Sequence, residues 1–213
     1  MLIAHKIALD PNKAQREYFA RAAGAARCAW NWALSEWQRQ YKAGEKPCEV
    51  SLRKKLNSIK REQFPWMYDV TKCAAQESVI DLGTAFDNFL RDCKKPKKLR
   101  HLGYPRFKSR ESRKSFCAAN EEKTFRVFGK KLALPIIGTV RVREKLRFSG
   151  TPKRVTVSCE AGRWFASILV DTHDIKPVGG LADTVGIDLG INTLAATAAW
   201  RAAKWIRSKA PRH

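Results

Sequence analysis

The feature that most restricts how this chain can fold is a change of hydrophobic period at about residue 115. Upstream, apolar residues recur at steps of three and four; downstream, they alternate. The first pattern commits a segment to helix with one buried face, and the second commits it to a half-buried strand. Helical and stranded stretches in separate blocks indicate an α+β protein.

The upstream block opens with a short apolar stretch, Leu2 to Leu9, expected as a strand. Asp10 is placed as a helix N-cap, with Pro11 in the first turn, where its missing N–H costs nothing. Tyr18, Ala22, Ala26, Ala29, Ala33 and Trp37 then form one stripe that ends near Gly44, with Gly24 as a candidate break. A second helix is expected through Leu52, Leu56, Ile59 and Phe64, stopping at Pro65. A third runs through Ala75, Val79, Leu82, Phe86, Phe89 and Cys93. These aromatic stripes are read as core packing, while Trp32, off the main stripe, is the ring to expect at a surface contact.

Between the blocks lies a concentration of charge. The chain carries 42 Lys and Arg against 20 Asp and Glu, a formal charge of +22. About two-fifths of that surplus falls in residues 91–114, as Arg91, Lys94, Lys95, Lys97, Lys98, Arg100, Arg106, Lys108, Arg110, Arg113 and Lys114. Tyr104, Phe107 and Phe116 interleave with it. A solvated linker would satisfy this composition. So would a nucleic-acid grip, in which cations pair with phosphates and rings stack on unpaired bases.

From Ser115 onward, Thr124 to Phe128 and Lys131 to Leu134 are expected as one hairpin. Val155 to Cys159 and Trp164 to Val170 are expected as another, turning at Glu160-Ala161-Gly162, with a strand at Thr139 to Arg143 between the two hairpins. Arg126, Arg141, Arg143 and Arg154 either line a groove or form the polar outer face of the sheet. Gly179-Gly180 marks an expected boundary, and the last residues are expected to form a short amphipathic helix.

Several classes fall away. The uncharged run from Leu189 to Trp200 is 12 residues, short of the roughly 20 that a membrane helix needs, and the charged N-terminus does not suit a signal peptide. Six widely spaced cysteines include no CxxC pair, so a zinc ribbon is not expected and reduced thiols are. A cytoplasmic, nucleoid-associated protein with no membrane partner is the expectation.

One aspartate stands apart. In Gly186-Ile187-Asp188-Leu189-Gly190 an acid sits in an apolar strand between glycines, where backbone can approach a ligand closely. A plain strand–turn–strand fits. So does the first-strand aspartate of a ribonuclease-H-like nuclease, which holds Mg²⁺. An actin-like ATPase fits poorly, and no GxxxxGK[ST] loop occurs.

The order of these pieces resembles the TnpB (OrfB) family of transposon-encoded proteins, relatives of type V CRISPR effectors. The resemblance rests on Phe64-Pro65-Trp66, Ala85 to Phe89, Tyr104 to Ser109, Cys159 to Trp164 and Gly186 to Gly190. It implies a helical lobe (10–95, helix-turn-helix-like at its start) inserted into a mostly antiparallel, wedge-like β-barrel (1–9 and 115–178). A basic connector (96–114) would join them, and the first strands of an RNase H-like RuvC domain (183–213) would follow. The activity it implies is RNA-guided DNA cleavage, with guide RNA and DNA as partners, Mg²⁺ as cofactor and Asp188 as catalytic metal ligand. No Asp or Glu follows Asp188. The expectation is therefore a chain truncated early in the RuvC-like domain, which grips nucleic acid without cutting it. A non-catalytic nucleic-acid-binding regulator and a non-functional pseudogene product are the alternatives.

Overall fold

The computed structural model describes residues 1–119 and 125–172 in full, together with backbone strands at 185–188, 195–199 and 202–208. The chain divides into two compact units, Met1–His173 and Asp174–His213.

The first unit is α+β. It begins with strand β1 (Leu2–Asp10) and continues into three helices, α1 (Lys13–Lys42), α2 (Glu49–Gln63) and α3 (Lys72–Cys93). Strands β2 (Ser115–Ala119), β3 (Arg126–Phe128), β4 (Lys131–Leu134), β5 (Gly138–Val142), β6 (Thr151–Glu160) and β7 (Arg163–Asp171) follow. They form one antiparallel sheet in the order β2-β6-β7-β1-β5-β4-β3. The N-terminal strand is therefore central. Its residues Leu2 to Ala8 pair with Asp171 to Phe165 of β7, and Leu9 and Asp10 pair with Val142 and Arg141 of β5.

Helix α1 starts two residues later than the sequence pattern suggests. Asn12 is the cap: its side chain accepts from Gln15 N–H at 2.9 Å, and the Gln15 side chain accepts from Asn12 N–H at 3.1 Å. This reciprocal box satisfies two orphan donors, which Asp10 could not do while engaged in the sheet. Gly24 does not break the helix, which runs unbroken for 30 residues.

The alanine stripe of α1 lets α3 approach closely, and Ser78 Oγ donates to Ala26 O at 2.6 Å. At α2 the contact is tighter still: a Cβ on Gly83 of α3 would stand 2.8 Å from Glu49 Cβ. Alternation on the strands then buries Ile7, Leu9, Phe116, Val155, Val157, Trp164, Ala166, Ile168 and Val170. Helix α1 covers this layer through Phe19, whose ring centroid lies 5.9 Å from Phe116 and 5.2 Å from Trp164. The β6–β7 hairpin turns on Ala161 and Gly162, both at positive φ, as a two-residue turn matched to strand twist requires.

Three expectations are corrected here. The sheet is not a closed barrel: closure needs its end strands to pair, and among the described residues β2 pairs with β6 and the three-residue β3 with β4. Residues Ala202–Ser208 form a strand rather than an amphipathic helix. In the second unit, β8 (Val185–Asp188), β9 (Ala195–Ala199) and β10 (Ala202–Ser208) make a sheet in the order β10-β9-β8, and the free edge of β9 gives the last strand a backbone partner. Phe116, expected among the rings of the basic segment, is core. The expected boundary at Gly179-Gly180 and the start of the first hairpin at Thr124 lie outside the described residues.

Candidate nucleic-acid interface

The basic segment is held against the helices by side-chain-to-backbone hydrogen bonds at both ends. At its start Asp92, buried on the last turn of α3, accepts from the N–H groups of His101 and Leu102 at 2.7 and 2.8 Å through Oδ2. Its other oxygen, Oδ1, has the Lys95 ammonium at 2.8 Å, a charge contact outside hydrogen-bonding geometry. Lys95 first, then the two backbone donors, hold this carboxyl down at about 2. Tyr104 sets its ring edge-on to Phe86 and Phe89, 5.3 and 5.4 Å between centroids.

Further along, α1 takes over. Trp30 Nε1 donates to Arg106 O at 2.9 Å. Asn31 donates to Lys108 O at 3.0 Å and accepts from Lys108 N–H at 2.8 Å, imitating a rung of a β-ladder with a side-chain amide. The segment is thus an ordered strap, with a single short 3₁₀ turn at Lys97–Leu99.

This anchoring sorts the candidate residues. Lys95 pairs with Asp92, and Arg113 pairs with Glu160 while donating to Ser158 Oγ at 3.0 Å. Arg91 donates to Asn88, and Arg100 donates to Lys95 O. Lys108 turns inward, with Nζ 3.7 Å from the Trp30 ring centroid, and burial lowers its pKa. Lys94, Lys97, Lys98, Arg106, Arg110 and Lys114 are exposed, and no ion pair holds them among the described residues. Phe107 is 55% exposed. The strap therefore presents a row of cations with two exposed rings among them, Phe107 and the outer part of Tyr104, a surface suited to a phosphate backbone.

Arg154 does not line a basic groove. Its guanidinium lies 2.7 Å from Asp81 and 3.6 Å from Glu77, tying β6 to α3. A second cationic cleft lies elsewhere, where Arg16, Arg143 and Arg163 come together around the ends of β1 and β7, in a cavity of about 310 Å³. Arg143 was a sequence candidate; Arg16 and Arg163 were not. They stand 147 positions apart (163 − 16), and only the strand order, with β1 beside β7, unites them. Arg126 and Arg141 are exposed.

Asp188 is the last residue of β8, its backbone opposite Ala196 of β9. Among the described residues no group of three His, Cys, Asp or Glu side chains is placed to hold a metal ion. No described helix is long and apolar enough to cross a membrane.

A helix-turn-helix domain model of the OrfB type from IS605 elements matches residues 1–46, a segment that here is β1 followed by one uninterrupted helix. A protein of Escherichia coli (strain K12) named as an RNA-guided DNA endonuclease, InsQ, is 30% identical over 200 residues, covering 91% of this chain and 46% of that protein. A Streptomyces pristinaespiralis protein with the same type of name is 30% identical over 202 residues, covering 90% and 46%. The chain spans about half the length of the curated relatives it matches. The cryo-EM structure of a Cas12f1–sgRNA–target DNA complex superposes at a TM-score of 0.41 with 12% identity, over 98% of this chain and 57% of that one, a loose likeness. On the family-model match and on relatives aligned along nine-tenths of its length, the chain belongs to the TnpB/OrfB family.

Proposed function

We propose that these 213 residues are the nucleic-acid-gripping part of an RNA-guided DNA endonuclease, binding guide RNA and DNA through the strap. The observation that carries this reading is the anchoring of residues 91–114: the backbone is tied to α1 and α3 while Lys94, Lys97, Lys98, Arg106, Arg110 and Lys114 face solvent. A cation row held in register meets phosphates at lower entropic cost than a free tail would. In this reading the sheet of the first unit acts as the wedge-like platform, and β8 to β10 belong to a RuvC-like sheet with Asp188 at a strand end.

Asp188 would contribute one oxygen-bearing ligand to Mg²⁺. A two-ion site needs several carboxylates, and within this sequence no Asp or Glu follows Asp188. The residues present do not fit such a site by themselves, so no catalytic step is assigned to them. The expected behaviour is binding without cutting. The test is to incubate the purified chain with guide RNA, matching target DNA and Mg²⁺, and to follow complex formation and cleavage separately. Binding with intact DNA is expected. Cleavage that disappears in Asp188→Ala would overturn the inactive reading, and failure to bind either nucleic acid would overturn the whole.

A further inference from the structure

A cleft on the opposite flank of α1 from its alanine stripe shares Asn31 with the anchoring of the strap but is otherwise distinct from it. It measures about 620 Å³ and lies between α1 and a 3₁₀ turn, Pro65–Asp69, that follows α2. Arg21, Gly24, Arg27, Cys28, Asn31 and Trp32 form one wall, and Phe64, Trp66, Asp69 and Val70 form the other. The α1 positions recur at helical spacing, so they make one continuous stripe. A Cβ on Gly24 would meet nothing within 4 Å, which leaves the middle of that wall open. Trp66 is 44% exposed, and its ring meets that of Phe64 edge-on at 6.5 Å.

We propose that this cleft receives an unpaired base of a single-stranded nucleic acid; the proposal rests on the nucleic-acid-binding reading above. Three observations fix the occupant. The walls carry two indoles and a phenyl ring, flat apolar surfaces on which any base can stack. Arg21 and Arg27 stand at the same opening, so an apolar ligand carrying negative charge fits better than a neutral peptide segment. The Asp69 carboxylate, the acid lining the cleft, accepts hydrogen bonds and donates none, which suits a base with an exocyclic amino group.

Continuity with the strap gives a path. Arg27 also lines a small depression with Lys108, Ser112, Arg113 and Lys114, and Asn31 holds Lys108 by its backbone. A strand whose phosphates follow the end of the strap thus reaches Arg27 next, and its neighbouring base arrives at the cleft. The volume is in the range of pockets that enclose a small organic ligand, roughly 300–1,000 Å³. Trp32 lines this cleft.

Two variants test the cleft without disturbing the core. Gly24→Leu places a side chain in the open wall and improves helix propensity. Trp66→Ala removes one exposed plate. Fluorescence anisotropy would compare a labelled 12-nucleotide single strand, as DNA and as RNA, with the corresponding duplex. Each variant is expected to weaken single-strand binding roughly 5- to 150-fold, the usual span for losing one stacked base, while duplex affinity holds. Wild-type single-strand affinity in both variants, as an apolar protein segment in the cleft would produce, overturns the proposal, as does an equal loss for single strand and duplex. A wild-type chain that binds no oligonucleotide refutes the nucleic-acid reading itself, an outcome distinct from a cleft that proves dispensable.

Discussion

Four lysines sit close together at the start of the strap, and the structure assigns them different work. Lys94, Lys97 and Lys98 are exposed, whereas Lys95 is paired with buried Asp92 at 2.8 Å. Each lysine that neutralises a phosphate releases counterions, so the log–log slope of affinity against salt changes by roughly 0.7 for a single strand to 0.9 for B-DNA. The triple variant K94Q/K97Q/K98Q should therefore flatten that slope by about 2 to 3. Between about 50 and 200 mM salt, the wild type then loses about 20- to 40-fold more affinity than the variant. Lys95→Gln should leave the slope nearly unchanged and lower the melting temperature, because it strips Asp92 of its cation. Fluorescence anisotropy across a salt series gives the slopes, and scanning calorimetry gives the melting temperatures. If the triple variant keeps the wild-type slope, or if Lys95→Gln flattens it with no thermal cost, the division of labour is wrong.

The same geometry sets four further expectations. Asn31→Leu leaves the Lys108 peptide without either hydrogen bond and should cost about 1–3 kcal/mol in urea unfolding, while loosening the strap enough to weaken nucleic-acid binding. Arg154→Met removes the cation that Asp81 and Glu77 share with β6; since Arg154 is a third exposed, the cost should be about 1–3 kcal/mol, below that of a fully buried pair. Gly24→Ala, with open space around its Cβ, should stabilise by about 0.5–1 kcal/mol, whereas Gly83→Ala should lower the melting temperature by forcing α2 off α3. Asp92 and Glu36 are each held at about 2, from ordinary values of 3.8 and 4.5, by Lys95 and Arg39 respectively ahead of their other partners. A depressed carboxyl contributes stability above its ordinary value and loses it as pH falls. The urea midpoint should therefore drop between about pH 4.5 and 2, and Glu36→Gln should make that drop shallower.

What could be read from the sequence was whatever depends on neighbours along the chain. The α1 stripe, the α3 stripe and the Ala161-Gly162 turn follow from period and from local backbone demands, and each stands where the pattern puts it. The start of α1 was misplaced because Asp10 and Asn12 are equally good caps in isolation. Only the pairing of Asp10 with Arg141 removes the first from contention. Phe116 and Arg154 looked like parts of a basic surface for the same reason. Their alternation places them correctly on strands, but burial against Phe19 and pairing with Asp81 depend on residues far off in the sequence. The strap's charge was plain from composition, whereas its anchors were hidden. Trp30 and Asn31 are ordinary helix residues until Arg106 and Lys108 come to lie against them. The Arg16–Arg143–Arg163 cleft is the extreme case, since no local signal joins its members.

The place of β1 in the middle of the sheet bears on how this unit comes into being. Met1 extends the pairing of β1 with β7 by one more rung: Thr172 donates its backbone N–H to Met1 O at 2.9 Å, and the Met1 ammonium stands 3.4 Å from Asp171. β1 leaves the ribosome well before its partners, since both neighbours of that strand arrive more than a hundred residues later. The helices can pair as they emerge, because their contacts are nearer in sequence, while β1 waits as an apolar strand, gaining a short pairing when β5 is made and its full-length partner only with β7. In the first unit taken by itself, residues 1 and 172 are close enough for a short linker to join them. New termini in the exposed turn at Gly129-Lys130 would then give a permuted chain in which β1 is synthesised directly after β7, its neighbour in the sheet.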